Sequence, residues 1–382
     1  MEDILKDLSI DRSTWKQIRF GDIVAEPKES VKDPVGAGIE HIVGLEHIES
    51  ENIHLRRSAG IDESTTFTKK FSKGDVLFGR RRAYLKKAAQ ASFGGICSGD
   101  ITVMRVKKGL LPELLPFVVQ NEKFFDFAVK HSAGGLSPRV KFKDLANYEF
   151  LLPPKEQQAQ LAELLWSMDE IIECSYKNHA TTILTQKTLW LSVKDSNCTK
   201  KIKDVARVTS GTTPSTKVLE YWQDGNIPWL STGKVHDKFI SNSDTFVTQA
   251  AVDQGKSKIF PKNSTLVAMI GQGKTRGNAA KLMIDSAINQ NFACIEPKQI
   301  NHSFLFYCLF FSYQRLRSIS QGTNQLALNC ALIKNFKIPY PTDEEQHSIS
   351  ESLKACDQVI NKLESQIKSS KSLQKSLINQ VF

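Results

Sequence analysis

The sequence predicts an α+β chain in which two tandem domains of mixed α/β structure are joined by two long antiparallel coiled-coil helices, with pseudo-two-fold symmetry. Three observations predict it. The chain repeats itself once, each copy ends in a long stretch without glycine or proline, and 382 residues suit two domains plus a helical connection.

The repeat decides the architecture. A shift of 188 residues places Gly134 on Gly322, Asn147 on Asn335, Pro153 on Pro341, Glu156 on Glu344 and Gln158 on Gln346. The same shift places Glu163 on Glu351, Leu165 on Leu353, Asp169 on Asp357 and Ile172 on Ile360, with no gap. Upstream, FSKGDVLFG (71–79) lies near FPKNSTLVA (260–268). The expected divisions are a first domain over 1–152, a central connecting helix over 153–198, a second domain over 199–340 and a C-terminal helix over 341–382.

Within the first copy, EHIVGL (40–45), DVLFG (75–79) and DITVMRV (100–106) read as strands; in the second, STLVAMI (264–270) and NFACIEP (291–297) take that part. Helix-like stretches follow at 110–129 and 301–320, each punctuated by glycine, Gly134-Gly135 or Gly322. Short strands, NYEFLLP (147–153) and NFKIPYP (335–341), close the domains.

Each closing proline is followed by a long helix. Pro154 suits the first turn of one helix, where a missing N–H costs nothing. Thr342 and Glu345 form a capping box for the other. Ile349, Leu353, Cys356, Ile360, Leu363 and Ile367 give an alternating 4-3 seam, and Leu161, Leu164, Met168 and Ile171 give its counterpart in the first copy. No glycine or proline interrupts 155–195 or 342–382, which allows helices of roughly 35–40 residues, about 50–60 Å long.

Composition bounds the function. The 51 Lys+Arg against 41 Asp+Glu give a charge of +10, which permits an acidic partner without specifying one. The polar start MEDILKDLSIDRSTW does not read as a secretory signal. The longest apolar run, FLFYCLFF (304–311), is far short of the ~20 residues that cross a bilayer. Seven cysteines, never as C-x-x-C, read as free thiols of a reducing cytoplasm and give no metal site.

Catalytic signals are weak. Ala268–Thr275 fits a relaxed phosphate-binding loop, but Arg276-Gly277-Asn278 is poor material for the helix that must follow. His41, His47 and His54 lack metal-ligand spacing, and no G-x-S-x-G, H-E-x-x-H or Asn/Asp-Pro-Pro-aromatic motif is present. The chain reads as a binder without a catalytic site.

Binding features are denser. Arg80, Arg81, Arg82, Lys86 and Lys87 cluster around Tyr84, and the second copy holds Gln272, Lys274, Arg276, Asn278 and Lys281 there. A second element follows each glycine, with Arg139, Lys141 and Lys143 in one copy and Asn324, Gln325 and Asn329 in the other. Such side chains hold phosphates and read guanine and adenine edges. Arg80, Arg81, Lys86, Lys87, Lys141, Lys274 and Lys281 are assigned to phosphates; Arg82, Arg139, Gln272, Arg276, Asn324, Gln325 and Asn329 are the base-contact candidates. The alternatives are a P-loop nucleotide-binding protein and a coiled-coil adaptor without a DNA role.

SAGGLSPRVKFKDLANYEFLLPPKEQQAQLAELL (132–165), QGTNQLALNCALIKNFKIPYPTDEEQHSISESL (321–353), TSGTTPS with EYWQDGNIPWLSTGKV (209–235), and GDVLFGRRRAYLKKAAQASFGGICSGDITVMRV (74–106) carry a resemblance. Together they resemble the DNA-specificity (S) subunits of type I restriction–modification systems, over nearly the whole chain. The first domain departs from the second in lacking T-S-G-x-T-P and Y-W…I-P-W.

The resemblance implies two target-recognition domains that each read half of a bipartite, asymmetric double-stranded DNA site, with helix length setting the spacer. It also implies docking of two methyltransferase (M) subunits along the helices, then of restriction (R) motor-nuclease subunits. S-adenosylmethionine, ATP and Mg²⁺ would belong to those partners, with no cofactor and no active site in this chain.

Overall fold

The computed structural model describes residues 11–60, 66–194, 198–322 and 326–382. Contacts divide the chain into two units: the residues up to Lys177 together with Glu364–Phe382, and Asn178–Leu363.

Unit 1 is built on a five-stranded sheet of β1 (Val24–Ala25), β2 (His54–Leu55), β3 (Val76–Gly79), β4 (Ala88–Ala91) and β5 (Ile101–Val106), in the order β1-β5-β3-β4-β2. The central strands are apolar on both faces, as befits a sheet covered on two sides. β3 runs antiparallel to β4 and β5, pairing Val76 with Gln90 and Met104. The edge strand β2 is parallel to β4.

Unit 2 repeats this topology. Its strands are β6 (Ala206–Ser210), β7 (Phe239–Ile240), β8 (Thr265–Ala268), β9 (Ala279–Leu282) and β10 (Phe292–Pro297), in the order β6-β10-β8-β9-β7. Again the edge strand β7 is parallel to its neighbour β9, which is itself antiparallel to the central strand β8. A smaller sheet lies in each unit, three-stranded around Gly95–Cys97 and four-stranded with Ile227–Leu230 and Ser286–Ile288 at its middle. In unit 2 Gly211, in the T-S-G-x-T-P stretch, passes so close to Ile288 that a Cβ would stand 2.0 Å from its carbonyl oxygen. Only glycine fits that approach.

The two helix-like stretches are each broken. Residues 110–129 form a 3₁₀ turn, Leu115–Val119 and Glu122–Lys130, because prolines punctuate the start and Asn121 caps the last helix by accepting from Lys123 N–H. In 301–320, Asn301 caps His302–Phe310, and Tyr313–Ser318 follows separately.

Two long helices complete the units, α1 (Lys155–Lys194) and α2 (Asp343–Val381). Thr342 caps α2 as its spacing predicts: Glu345 accepts from Thr342 N–H at 2.8 Å, and Thr342 Oγ1 accepts from Glu345 N–H at 3.3 Å. α1 begins in unit 1 and ends in unit 2, and α2 does the reverse. Each unit is therefore closed by the end of one helix lying beside the start of the other. In unit 1, Gln374 donates to the Leu165 carbonyl and Lys371 lies over the Tyr176 ring, so residue numbers fall along one helix as they rise along the other. Leu377, Ile378, Val381 and Phe382 enter the same core as Trp15, Phe150, Ala162 and Leu165. In unit 2 the matching donor, Gln186, bonds the Leu353 carbonyl, and Trp190 and Val193 join Leu353 in the core. Complete burial of Leu165 or Leu353 contributes about 1.5–3 kcal/mol each.

The buried stripe of α1 is displaced by one residue from the apolar one. Gln158, Ala162, Leu165, Asp169 and Ile172 are buried, whereas Leu164 and Ile171 are 41% and 50% exposed and Leu161 and Met168 only partly buried. On α2, Gln346, Ser350, Leu353 and Asp357 hold the corresponding places. Ile349 packs on the core edge, Ile360 and Leu363 are half-buried, and Ile367 is buried. Polar side chains with buried partners fill much of this stripe, so apolar periodicity does not mark it. Gln158 accepts from Leu111 N–H at 2.9 Å and donates to the Gly109 and Pro153 carbonyls; Gln346 accepts from Asn301 N–H and donates to the Pro341 carbonyl.

Among the described residues, no helix is long and apolar enough to cross a membrane. The candidate phosphate loop runs directly into strand β9: Gly271 turns the chain at φ 115°, and no helix begins between the loop and Ala279, where a phosphate-binding loop requires one.

Candidate nucleic-acid interface

In each unit the fold brings together the two polar-basic elements that the sequence keeps far apart. In unit 1 the loop between β3 and β4 meets the segment after Gly134. Val140 N–H donates to the Arg80 carbonyl at 3.0 Å, and Arg82 N–H to the Pro138 carbonyl at 2.8 Å. Ala133 and Arg139 exchange two backbone hydrogen bonds of 2.9 Å, which makes the segment a narrow ribbon. In unit 2 the same pattern recurs: Leu328 N–H donates to the Met269 carbonyl at 2.8 Å, and Gln321 and Ala327 exchange bonds.

The predicted side chains then separate by environment. In unit 1, Arg80 Nε donates to the Val140 carbonyl at 3.1 Å, and Arg82, at φ 54°, is exposed. Arg81 and Arg139 converge on Asp100: Arg139 Nε lies 2.7 Å from Oδ1, and Arg81 Nη1 3.3 Å from Oδ2. The Arg139 guanidinium, with Arg81 beside it, holds the Asp100 carboxyl below the usual carboxylate range. Lys86 pairs with Glu122, and Lys87 donates to the Leu45 carbonyl at 2.7 Å, so both ammonium groups are turned toward their own fold. Lys141 is exposed.

In unit 2, Gln272 and Lys274 are exposed on the loop after β8. Arg276 is not: it is 5% exposed and donates to the Leu326 carbonyl. Arg317 secures the same loop by donating to the Gly273 and Arg276 carbonyls at 2.9 and 3.1 Å. Lys281 also points inward, donating to Ser303 Oγ at 2.8 Å and lying 2.9 Å from His302 Nδ1. Burial pushes its ammonium down to about 8 and the neighbouring imidazole below its ordinary value. Asn329 is exposed and caps Cys330–Lys334 by accepting from Leu332 N–H. Asn324 and Gln325 lie outside the described residues.

Asp100 and Arg317 escaped the sequence reading. Neither stands near the basic clusters in the chain, and only the strand pairing that sets Arg80 N–H on the Asp100 carbonyl, 3.0 Å away, brings the former among them.

Residues 194–370 match the family model described as the type I restriction modification DNA specificity domain. The chain is 35% identical over 170 residues to the type I restriction enzyme MjaIX specificity subunit of Methanocaldococcus jannaschii, covering 42% of this chain and 38% of that protein. With the EcoR124I/EcoR124II specificity subunit of Escherichia coli it is 24% identical, covering 43% and 42%. The chain thus spans less than half the length of these two relatives. Among solved structures, a type I restriction–modification S subunit from M. genitalium superposes with a TM-score of 0.65 at 13% identity, covering 98% of this chain and 97% of that one. A chain from a structural study of complex assembly and conformational transition of the type I R-M system gives 0.59 at 20%, covering 96% of each. At these identities the likeness is one of fold.

Proposed function

We propose that this chain, which belongs to the type I restriction–modification DNA-specificity family, is a DNA-recognition subunit whose two units each read one half of a bipartite, asymmetric duplex site. The observation that carries this reading is the recurrence, on one sheet topology, of paired loops with unlike side chains: Arg80–Lys87 with Ala133–Val140, and Met269–Asn278 with Gln321, Ala327 and Leu328. A common scaffold with different polar edges is what two unlike half-sites require.

The helices set the unread spacer and dock two methyltransferase subunits, with restriction subunits joining that complex. Leu164 and Ile171, exposed on α1 outside the buried stripe, support a partner surface there. The chain itself is a non-catalytic, cytoplasmic component; S-adenosylmethionine, ATP and Mg²⁺ serve the partner subunits. Co-expression with a type I methyltransferase subunit, followed by mapping of methylated adenines, tests the reading. A split motif with a fixed spacer is expected; methylation without a motif, or none beyond that of the methyltransferase alone, sinks it.

A further inference from the structure

The guanidinium group of Arg139 carries five N–H donors, and the way they are used differs from that of its neighbour Arg81. Arg139 gives Nε to Asp100 Oδ1 at 2.7 Å and Nη2 to Oδ2 at 3.4 Å, so the carboxylate occupies its side edge. The end edge, formed by Nη1 and the second N–H of Nη2, has no partner among the described residues, and the side chain is 45% exposed. Arg81 is engaged the other way: Nη1 goes to Asp100 at 3.3 Å and Nη2 to Ser137 Oγ at 3.0 Å, so its end edge is consumed within the fold. The backbone beneath Arg139 is fixed by its paired bonds to Ala133 and by the bonds of Pro138 and Val140 to the β3–β4 loop. Asp100 in turn is held by its N–H on Ser98 Oγ and its carbonyl on Arg80 N–H.

We infer that Asp100 is a positioning residue that presents the end edge of Arg139 to guanine, so that unit 1 requires a guanine in its half-site and Arg81 braces the device without reading a base. The inference rests on the DNA-recognition reading and sharpens it. An oriented guanidinium edge matches the O6/N7 pair of guanine in the major groove, and a carboxylate that fixes the rotamer converts a mobile charge into a selective donor pair. Unit 2 does not repeat this pair at the equivalent described positions: Asn291 and Ala327 stand where the strand pairing places Asp100 and Arg139 in unit 1.

The charge of Asp100 makes the idea distinguishable from a simple binding role. A carboxylate on a DNA-facing surface repels phosphates, so its removal should leave affinity for non-matching duplex equal or higher while selectivity falls. The test is selection by the full-length chain from a randomised duplex library, with sequencing of the bound fraction, for wild type, Asp100→Asn, Asp100→Ala, Arg139→Lys and Arg81→Lys. Wild type is expected to demand guanine at one position of one half-site. Both Asp100 variants and Arg139→Lys should lose about 5- to 150-fold of that preference with the other half-site unchanged, and Arg81→Lys, which loosens only the brace on Asp100, should lose less of it than Arg139→Lys. Retained guanine preference in Asp100→Asn and Arg139→Lys overturns the inference. So does a uniform loss of affinity for all sequences in the Asp100 variants with an unchanged thermal midpoint. A wild-type chain that selects no motif at all would instead remove the DNA-recognition reading beneath it.

Discussion

Gln186 Nε2 donates to Asp357 Oδ1 across 2.7 Å, joining the end of α1 to α2 inside unit 2. The same carboxylate accepts from Tyr307 Oη at 2.8 Å and pairs with Lys238. Burial raises the Tyr307 phenol well above its ordinary value and keeps it a donor. Asp357→Ala strands three donors beside a buried site. It should lower stability by about 1.5–3 kcal/mol, the range for a hydrogen-bonded charge, read as a shift in urea midpoint.

In unit 1 the equivalent carboxylate, Asp169, is held by His54 Nε2 at 2.7 Å, with Trp166 edge-on to the imidazole. An imidazole and an ammonium are different anchors for one repeated position. Exchanging the anchor, with His54→Lys, should be tolerated better than His54→Ala. Thermal melting of the two variants decides this.

Gln158→Ala leaves Leu111 N–H and the Gly109 and Pro153 carbonyls without their side-chain partner. Each group left unpaired costs about 1–3 kcal/mol. Hydrogen exchange should show the loss in unit 1 around residues 109–111 and at the start of α1, while Gln346→Ala places it around Asn301.

Lys281 offers a pH signature. Its ammonium titrates at about 8 in the folded chain, lowered by burial, against 10.5 for the ordinary group. Between those values the unfolded chain binds more protons than the folded one, so this group makes stability rise with pH from about 8 to 10.5. Below 8 the penalty of the buried charge is fully present. Lys281→Met should remove that rise, seen as a flatter difference in urea midpoint between pH 7.5 and 10.5.

Lys274 and Arg276 lie two residues apart and should behave oppositely. Lys274→Ala is expected to lower the salt slope of duplex binding by about one with little change in stability. Arg276→Ala removes a buried guanidinium that holds the Leu326 carbonyl, and should depress the thermal midpoint.

Much of this architecture was legible because repetition and helix length are one-dimensional properties. The alignment of Gln158 with Gln346 and of Asp169 with Asp357 was plain in the sequence. Their use was not, because a buried glutamine that satisfies backbone from another segment has the composition of a surface residue. That is also why apolar counting chose Leu161, Leu164, Met168 and Ile171 when the buried stripe of α1 runs through Gln158 and Asp169. In the candidate interface, clustering of charge found the correct loops but could not rank their members. Whether an arginine faces water depends on a carbonyl fifty residues away, as with Arg276 and Leu326.

The composition of unit 1 has a consequence for the order of events during synthesis. Residues 364–382, which place Leu377, Ile378 and Phe382 in the core beside Trp15, leave the ribosome only after all of unit 2 has been made. Unit 2 is one continuous stretch, Asn178–Leu363, and takes no part of itself from beyond that point in the chain. Unit 1 must wait with part of its apolar core uncovered, a window in which an exposed hydrophobic surface invites chaperones or misassociation. Asn121, whose side chain closes on the Ile378 carbonyl 257 positions later, measures the length of that wait.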